Sequence, residues 1–341
     1  MTSLRRVHWT APGISRRRHG RGFVYAHANG QPVRDAETIE RIKGLAIPPA
    51  WTDVWICPQE RGHLQAVGTD AAGRRQYLYH QAWRERRDRQ KFDRVLRLAR
   101  RLPRMRRVGQ RHLTTRGVPR ERALAGALRM LDLGFFRIGS EAYAEENGSY
   151  GLATLRRRHV QVRGDEVTFD FAAKGKKRLV QTIHDEDLAR LTRSLLRRDG
   201  GGGRLLAYRE DGAWRDVRSD DVNEYLKELA DEDVSAKDFR TWHATVLTAA
   251  RLAAIEQELT SITSRKRAVA AVVKDVAEAL GNTPAVCRAS YIDPRVIDRF
   301  MNGETIDLPA GGDLRDDRIR ARIEAAVLDL LGEAERSSAA A

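Results

Sequence analysis

Cysteine is nearly absent from this chain of 341 residues, which has only Cys57 and Cys287. Two isolated thiols build neither a disulfide framework nor a CxxC metal site, and they suit a reducing cytoplasm, where the protein is expected to act, close to the nucleoid. No His, Cys, Asp or Glu cluster shows metal-ligand spacing, so no metal or other cofactor is expected. Long apolar runs are missing as well. None approaches the ~18 to 20 residues of a spanning helix, no lipidation motif is visible, and the N-terminal MTSLRR lacks the apolar centre of a signal peptide. Acid is also in deficit: 62 Lys and Arg stand against 47 Asp and Glu, leaving a formal charge of +15. The partner that fits is a polyanion, and without membrane features that polyanion is nucleic acid.

What the chain does have is enough apolar content to fold, 41% hydrophobic residues, and enough length for two domains. The expected class is α+β. Residues 1–85 read as a small antiparallel sheet domain, with a hairpin signal at Asn29-Gly30, a short helix near Ala36 to Leu45, and strands in VWICP, HLQAVG and RQYLYH. From Trp83 to Arg107 apolar residues recur at helical spacing among arginines, which predicts a basic helix bridging two domains. Residues 86–341 read as mainly helical, with Ser219 as an expected N-cap, a surface loop at Gly200 to Gly203, and a tail without structure after about residue 335. One insert breaks the helical pattern: HVQVRGDEVTFDFAAKGKKRLVQTI, residues 159–183, alternates around two Gly-containing turns and predicts a three-stranded sheet.

Four stretches put a cation or a nucleophile beside small residues or a turn: FFRIGSEAY with Arg137, AAKGKK with Lys174, KDFRTWHAT with Arg240, and ALGNTPAVCRASYIDP with Asn282 and Tyr291. Taken singly, each has a plain reading. The arginines would meet surface phosphates or carboxylates, Lys174 would be a solvated turn residue, Tyr291 would pack at a helix end, and Asn282 would finish a helix. Together they match the needs of phosphoryl transfer onto a protein hydroxyl. A phenol can attack a phosphodiester, planar guanidiniums fit the oxygens of the transition state, and a lysine can protonate the leaving alkoxide.

In order and spacing this set resembles the small type IB DNA topoisomerases of the poxvirus and bacterial kind, which share a catalytic fold with the tyrosine recombinases. RIGSEAY is similar to the family's first arginine motif, which implies a catalytic Arg137 and a DNA-contacting Tyr143. AAKGKK resembles its hairpin lysine, Lys174. KDFRTW resembles the second arginine motif, with Arg240 catalytic and Lys237 accessory. RASYIDP resembles the nucleophile segment, with Tyr291, and RRQYLYH resembles a DNA-reading strand in which Gln76, Tyr77 and Tyr79 would face the major groove. The resemblance implies relaxation of double-stranded DNA by a monomeric clamp through a 3′-phosphotyrosyl intermediate, without ATP or metal.

One position departs from the family pattern: GNTP stands where the family usually has GHTP. Asn282 can donate an amide hydrogen bond to a phosphate oxygen but carries no charge. His243, three residues after Arg240, is expected to pack rather than to replace it. Two other readings compete. A tyrosine recombinase would use the same residues, but the family's usual His before the second arginine is Lys237 here, and a helical N-terminal domain is expected there rather than a sheet. A non-catalytic basic DNA-binding protein would explain the charge but not the ordered set.

Overall fold

The computed structural model describes residues 3–256, 261–309, 314 and 316–339, without the side chains of residues 142, 143 and 333–339. The chain divides into two compact units, Met1–Lys91 and Phe92–Ala341.

In the first unit, β1 (Ile14–His19), β2 (Gly22–Ala26), β3 (Thr52–Ile56), β4 (Leu64–Thr69) and β5 (Arg75–Tyr79) form an antiparallel sheet in the order β2-β1-β3-β4-β5, with α1 (Ala36–Gly44) between β2 and β3. Ile14, Val33, Ile42, Val54, Ile56 and Ala66 make its core, with Leu78 packed against them. The main hairpin is not where the sequence puts it. His19 pairs with Gly22, so the turn is Gly20-Arg21, while Asn29-Gly30 closes a smaller turn in which His27 N–H donates to Gln31 O at 2.8 Å. Strand β1, ISRRRH, has no apolar alternation because it is anchored through a cation. The Arg16 guanidinium lies 4.1 Å from the Phe23 ring centroid and donates to the carbonyls of Ile47, Pro48 and Trp51 at 3.1, 3.0 and 2.7 Å.

Helix α2 (Gln81–Leu113) is longer than its expected span and contains Pro103; the division between the two units falls inside it. Its apolar stripe, Val95, Leu96, Leu98, Ala99, Leu102 and Met105, enters the core of the second unit. There it joins α3 (Arg120–Leu133), while α4 (Glu141–Asn147) follows the loop that carries Arg137. The expected sheet comes next, β6 (Val160–Arg163), β7 (Glu166–Ala172) and β8 (Arg178–His184), antiparallel in that order. After α5 (Glu186–Arg197), β9 (Ala207–Glu210) and β10 (Ala213–Asp216) form a hairpin that the sequence reading missed; Asp211 and Gly212 turn it with φ of +49° and +78°.

Helices α6 (Ser219–Ala230), α7 (Ala236–Ile255), α8 (Ile262–Ala279), α9 (Pro284–Ser290), α10 (Pro294–Met301) and α11 (Asp317–Ala339) complete the unit. Ser219 is the first residue of α6 rather than its cap. Arg218 takes the cap position, its N–H bonded to the Asp221 carboxylate at 2.8 Å. The stretch expected to lack structure after residue 335 continues α11 to Ala339, in keeping with the helix propensity of Ala, Glu and Arg. Behind α7, Arg106 on α2 donates to Asp132 on α3 at 2.7 Å and to Glu324 on α11 at 2.6 Å, and Trp242 on α7 donates to Glu324 at 3.3 Å. Burial would raise the Asp132 carboxyl, but Arg106 and Arg320 overcome it and hold it well below the usual carboxylate range. Among the described residues no helix is long and apolar enough to cross a membrane.

Candidate active site

Arg137 stands in the loop between α3 and α4, beside an anchored side chain. Phe136 is fully buried with its ring 5.0 Å from that of Phe169 on β7, an anchor worth ~1.5 to 3 kcal/mol that fixes the loop where Arg137 leaves it. The carbonyls of Arg137 and Ile138 accept from Leu152 and Ala153 N–H groups, both at 2.8 Å. This close approach needs Gly151, whose added Cβ would stand 2.6 Å from the Arg137 carbonyl oxygen.

Asn282 is aimed by the end of α8. Gly281 takes φ +62°, Gly281 N–H donates to Glu278 O at 2.9 Å and Asn282 N–H to Ala277 O at 2.8 Å, the paired bonds of a Schellman cap. The cap uses only the Asn282 backbone. Its side-chain oxygen accepts from Arg137 Nη2, an assignment that the donor-only guanidinium requires, and its amide Nδ2 is buried without a hydrogen-bond partner.

Arg240 sits on the first turns of α7, 2% exposed. It donates through Nη1 to the Phe135 carbonyl and through Nη2 to the Leu280 carbonyl at 2.8 Å, while Nε has no partner. These bonds tie α7 to the Arg137 segment and to the end of α8. Among the described residues no carboxylate pairs with this buried cation. Burial, and then Arg137, pull its guanidinium down to about 10, with Tyr291 acting the other way. A buried charge is ordinarily matched by an opposite one. Here the unmatched charge, the bare Nε and the bare amide of Asn282 suit an anion that arrives from outside.

Tyr291 caps α9, a helix started by Thr283 and Pro284. Its N–H donates to Cys287 O at 2.9 Å, and Cys287 and Ile292, both fully buried, hold the turn on either side. Beyond it Asp293 N–H donates to Thr245 Oγ1 on α7 at 3.1 Å. The Tyr291 ring is half-buried, its centroid 5.2 Å from Arg240 Cζ.

Lys174 lies in the tight turn between β7 and β8, where Ala173 N–H donates to Lys177 O at 2.8 Å and Gly175 takes φ +77°. It is exposed, and with Arg137 and Asn282 it lines a cleft of about 390 Å³. Arg137 and Lys174 also line a second cleft of about 330 Å³, with Ser140, Ser219 and Asn223. Arg137, Lys174 and Asn282 therefore share one opening, and Arg240, beneath the Tyr291 ring, is bonded to Phe135 and Leu280, each two residues before a residue that lines it. The sequence reading missed Lys177, Arg178 and Lys274, which line the larger cleft. The first two were visible as the continuation of AAKGKKR, whereas Lys274 needed the fold.

The other expected residues have separate settings. Lys237 is exposed one turn before Arg240. His243 is buried against Phe135, ring centroids 5.7 Å apart, with neither ring nitrogen bonded, and burial brings it down to about 4, so it packs as expected. Tyr143 is on α4, and its side chain lies outside the described residues. In the first unit Tyr77 and Tyr79 are exposed on one face of β5, rings 6.3 Å apart, but Gln76 alternates to the other face and donates to Asp70 at 2.8 Å. Strand geometry thus separates Gln76 from the two tyrosines it was expected to join.

Residues 80–302 match the family described as eukaryotic DNA topoisomerase I, catalytic core, and residues 22–70 match the bacterial DNA topoisomerase IB N-terminal domain. The DNA topoisomerase 1B of Acanthamoeba polyphaga mimivirus is 29% identical over 328 residues, covering 94% of this chain and 97% of the relative. The DNA topoisomerase 1B of vaccinia virus (strain Copenhagen) is 24% identical over 283 residues, 81% of this chain and 87% of the relative. The DNA topoisomerase I of monkeypox virus shows the same identity and coverage.

Proposed function

Because the chain belongs to the type IB DNA topoisomerase family, we propose that it relaxes supercoiled duplex DNA through a covalent 3′-phosphotyrosyl intermediate. Tyr291 gives up its phenolic proton to solvent and its oxygen attacks a backbone phosphorus; the bond to the 5′ oxygen breaks, and Lys174 gives that oxygen a proton. Arg137 and Arg240 hold the charge that grows on the non-bridging oxygens, and Asn282 donates its free amide N–H to one of them. Rotation of the freed 5′-hydroxyl end removes supercoils. The 5′ oxygen then attacks the phosphotyrosyl phosphorus, returning the proton to Lys174 and releasing Tyr291. The phosphotyrosyl bond conserves the energy of the broken one, so resealing needs no ATP.

Arg240 is the observation that carries this reading: a buried guanidinium with no carboxylate among the described residues, under the ring of a tyrosine in a segment resembling the family's nucleophile. Lys237 and Tyr143 would contribute DNA contacts in the same unit, and Tyr77 and Tyr79 in the first. The two units would act as a clamp on the duplex, as a monomer. The reading is tested by relaxation of a supercoiled plasmid in EDTA without ATP. Complete relaxation under those conditions is expected; a strict requirement for divalent metal or nucleotide would refute it.

A further inference from the structure

The N-terminal segment before β1 belongs to none of the catalytic or DNA-contacting sets above, yet it is fixed on the same face as Tyr77 and Tyr79. Arg5 N–H donates to Arg61 O and His63 N–H to Arg5 O, both at 2.9 Å, and Val7 N–H donates to His63 Nδ1 at 3.2 Å. This parallel bridge brings two arginine–indole pairs together. Arg6 Cζ stands 6.0 Å from the Trp83 ring centroid, and Arg75 Cζ stands 4.0 Å from that of Trp9. Arg75 is on β5 two places before Tyr77, so it shares the tyrosines' face. At the other end Tyr79 lies 6.1 Å from the His63 ring, which packs edge-on at 4.7 Å against Trp83.

A guanidinium held over an indole by cation–π attraction still has N–H groups to give to a second partner. Among the described residues neither Arg6 nor Arg75 has a carboxylate in that place. Exposed stacked tyrosines between two such cations make a surface suited to a polyanion with aromatic bases rather than to a protein acid. Resting on the reading that this chain acts on duplex DNA, we propose that the segment 5–9 builds a phosphate-gripping platform there, with Arg75 and Arg6 as the gripping cations and Trp9 and Trp83 as the residues that position them.

The test is binding of the full chain to a short linear duplex between 50 and 200 mM salt. One phosphate contact contributes about 0.9 to the slope of log K against log salt. Arg75→Gln should lower the slope by that amount, weakening binding about fifteenfold at 50 mM and only about fourfold at 200 mM. Trp9→Ala should fall between this variant and the parent, and Trp9→Phe, which keeps an aromatic face, should restore most of the loss. Arg190→Gln removes the same charge from a cation already paired with Glu186 and Asp187 at 2.7 and 2.9 Å, and should leave the slope unchanged. A parental slope for Arg75→Gln, or an equal fall for Arg190→Gln, would overturn the platform. Should Trp9→Ala lose its fold, Arg6→Gln gives the same reading without touching an aromatic. Failure of the parent chain itself to bind duplex would refute the functional reading instead.

Discussion

At the scale of single residues, Asn282 carries the sharpest expectation. Its backbone completes the cap of α8 and its side chain does not, so removing the side chain leaves the cap in place. The amide N–H is buried without a partner of its own in a residue that lines the cleft, and one hydrogen bond to a phosphate oxygen is worth ~0.5 to 1.5 kcal/mol when neutral and ~1.5 to 3 when charged. Asn282→Ala should therefore slow single-turnover cleavage about tenfold, at ~1.4 kcal/mol per decade, with DNA affinity and melting temperature nearly unchanged. Asn282→Asp should cost more, because a carboxylate would bind Arg137 and repel the phosphate. Asn282→His should retain activity and gain severalfold at pH values where the imidazole is charged. An alanine variant within about twofold of the parent rate, less than one hydrogen bond would give, would remove Asn282 from the site.

At the scale of elements, α7 does two jobs, presenting Arg240 at one turn and packing His243 a turn later. His243 is buried among Asp132, Arg106, Arg320 and Arg240, and it stays neutral down to about pH 4 in the fold against an ordinary value near 6.5. An unfolded chain would bind that proton first, so the folded state keeps its full stability above pH 6.5 and loses it progressively as pH falls towards 4. The whole effect is roughly 3 kcal/mol at ~1.36 kcal/mol per pH unit. His243→Phe should flatten that part of the stability curve while relaxation near neutral pH persists; urea unfolding from pH 4 to 7 measures it, and an unchanged acid slope would contradict the assignment. The elements themselves were unevenly legible. The insert 159–183 declared itself by alternation, and α2 by its apolar stripe. Strand β1 did not, because Arg16 is held by carbonyls and a ring rather than by an apolar face. The β9–β10 hairpin was missed although Asp211-Gly212 signals it, since two four-residue strands offer too short a pattern. Within the site, the turn residues and the cations Arg137, Lys174 and Arg240 could be read from their motifs. Carbonyl partners such as Phe135 O and Leu280 O could not, since any residue supplies a backbone oxygen and only the fold selects which one meets Arg240.

At the scale of the whole molecule, a charge of +15 and the proposed clamp on a duplex would make backbone contacts the main source of affinity. A clamp touching on the order of six phosphates should lose roughly a thousandfold in affinity between 50 and 200 mM salt, and a slope near zero would contradict it. Affinity, though, is shared by any basic DNA-binding protein; the covalent step is what distinguishes a type IB enzyme. The most direct measurement is to stop the reaction on a labelled duplex with detergent and map the protein residue bonded to DNA. The expected result is a 3′-phosphate bonded to Tyr291 with a free 5′-hydroxyl on the other strand end, and no adduct in Tyr291→Phe although that variant still binds DNA. An adduct at another residue, a 5′ linkage, or an adduct that survives Tyr291→Phe would contradict the account.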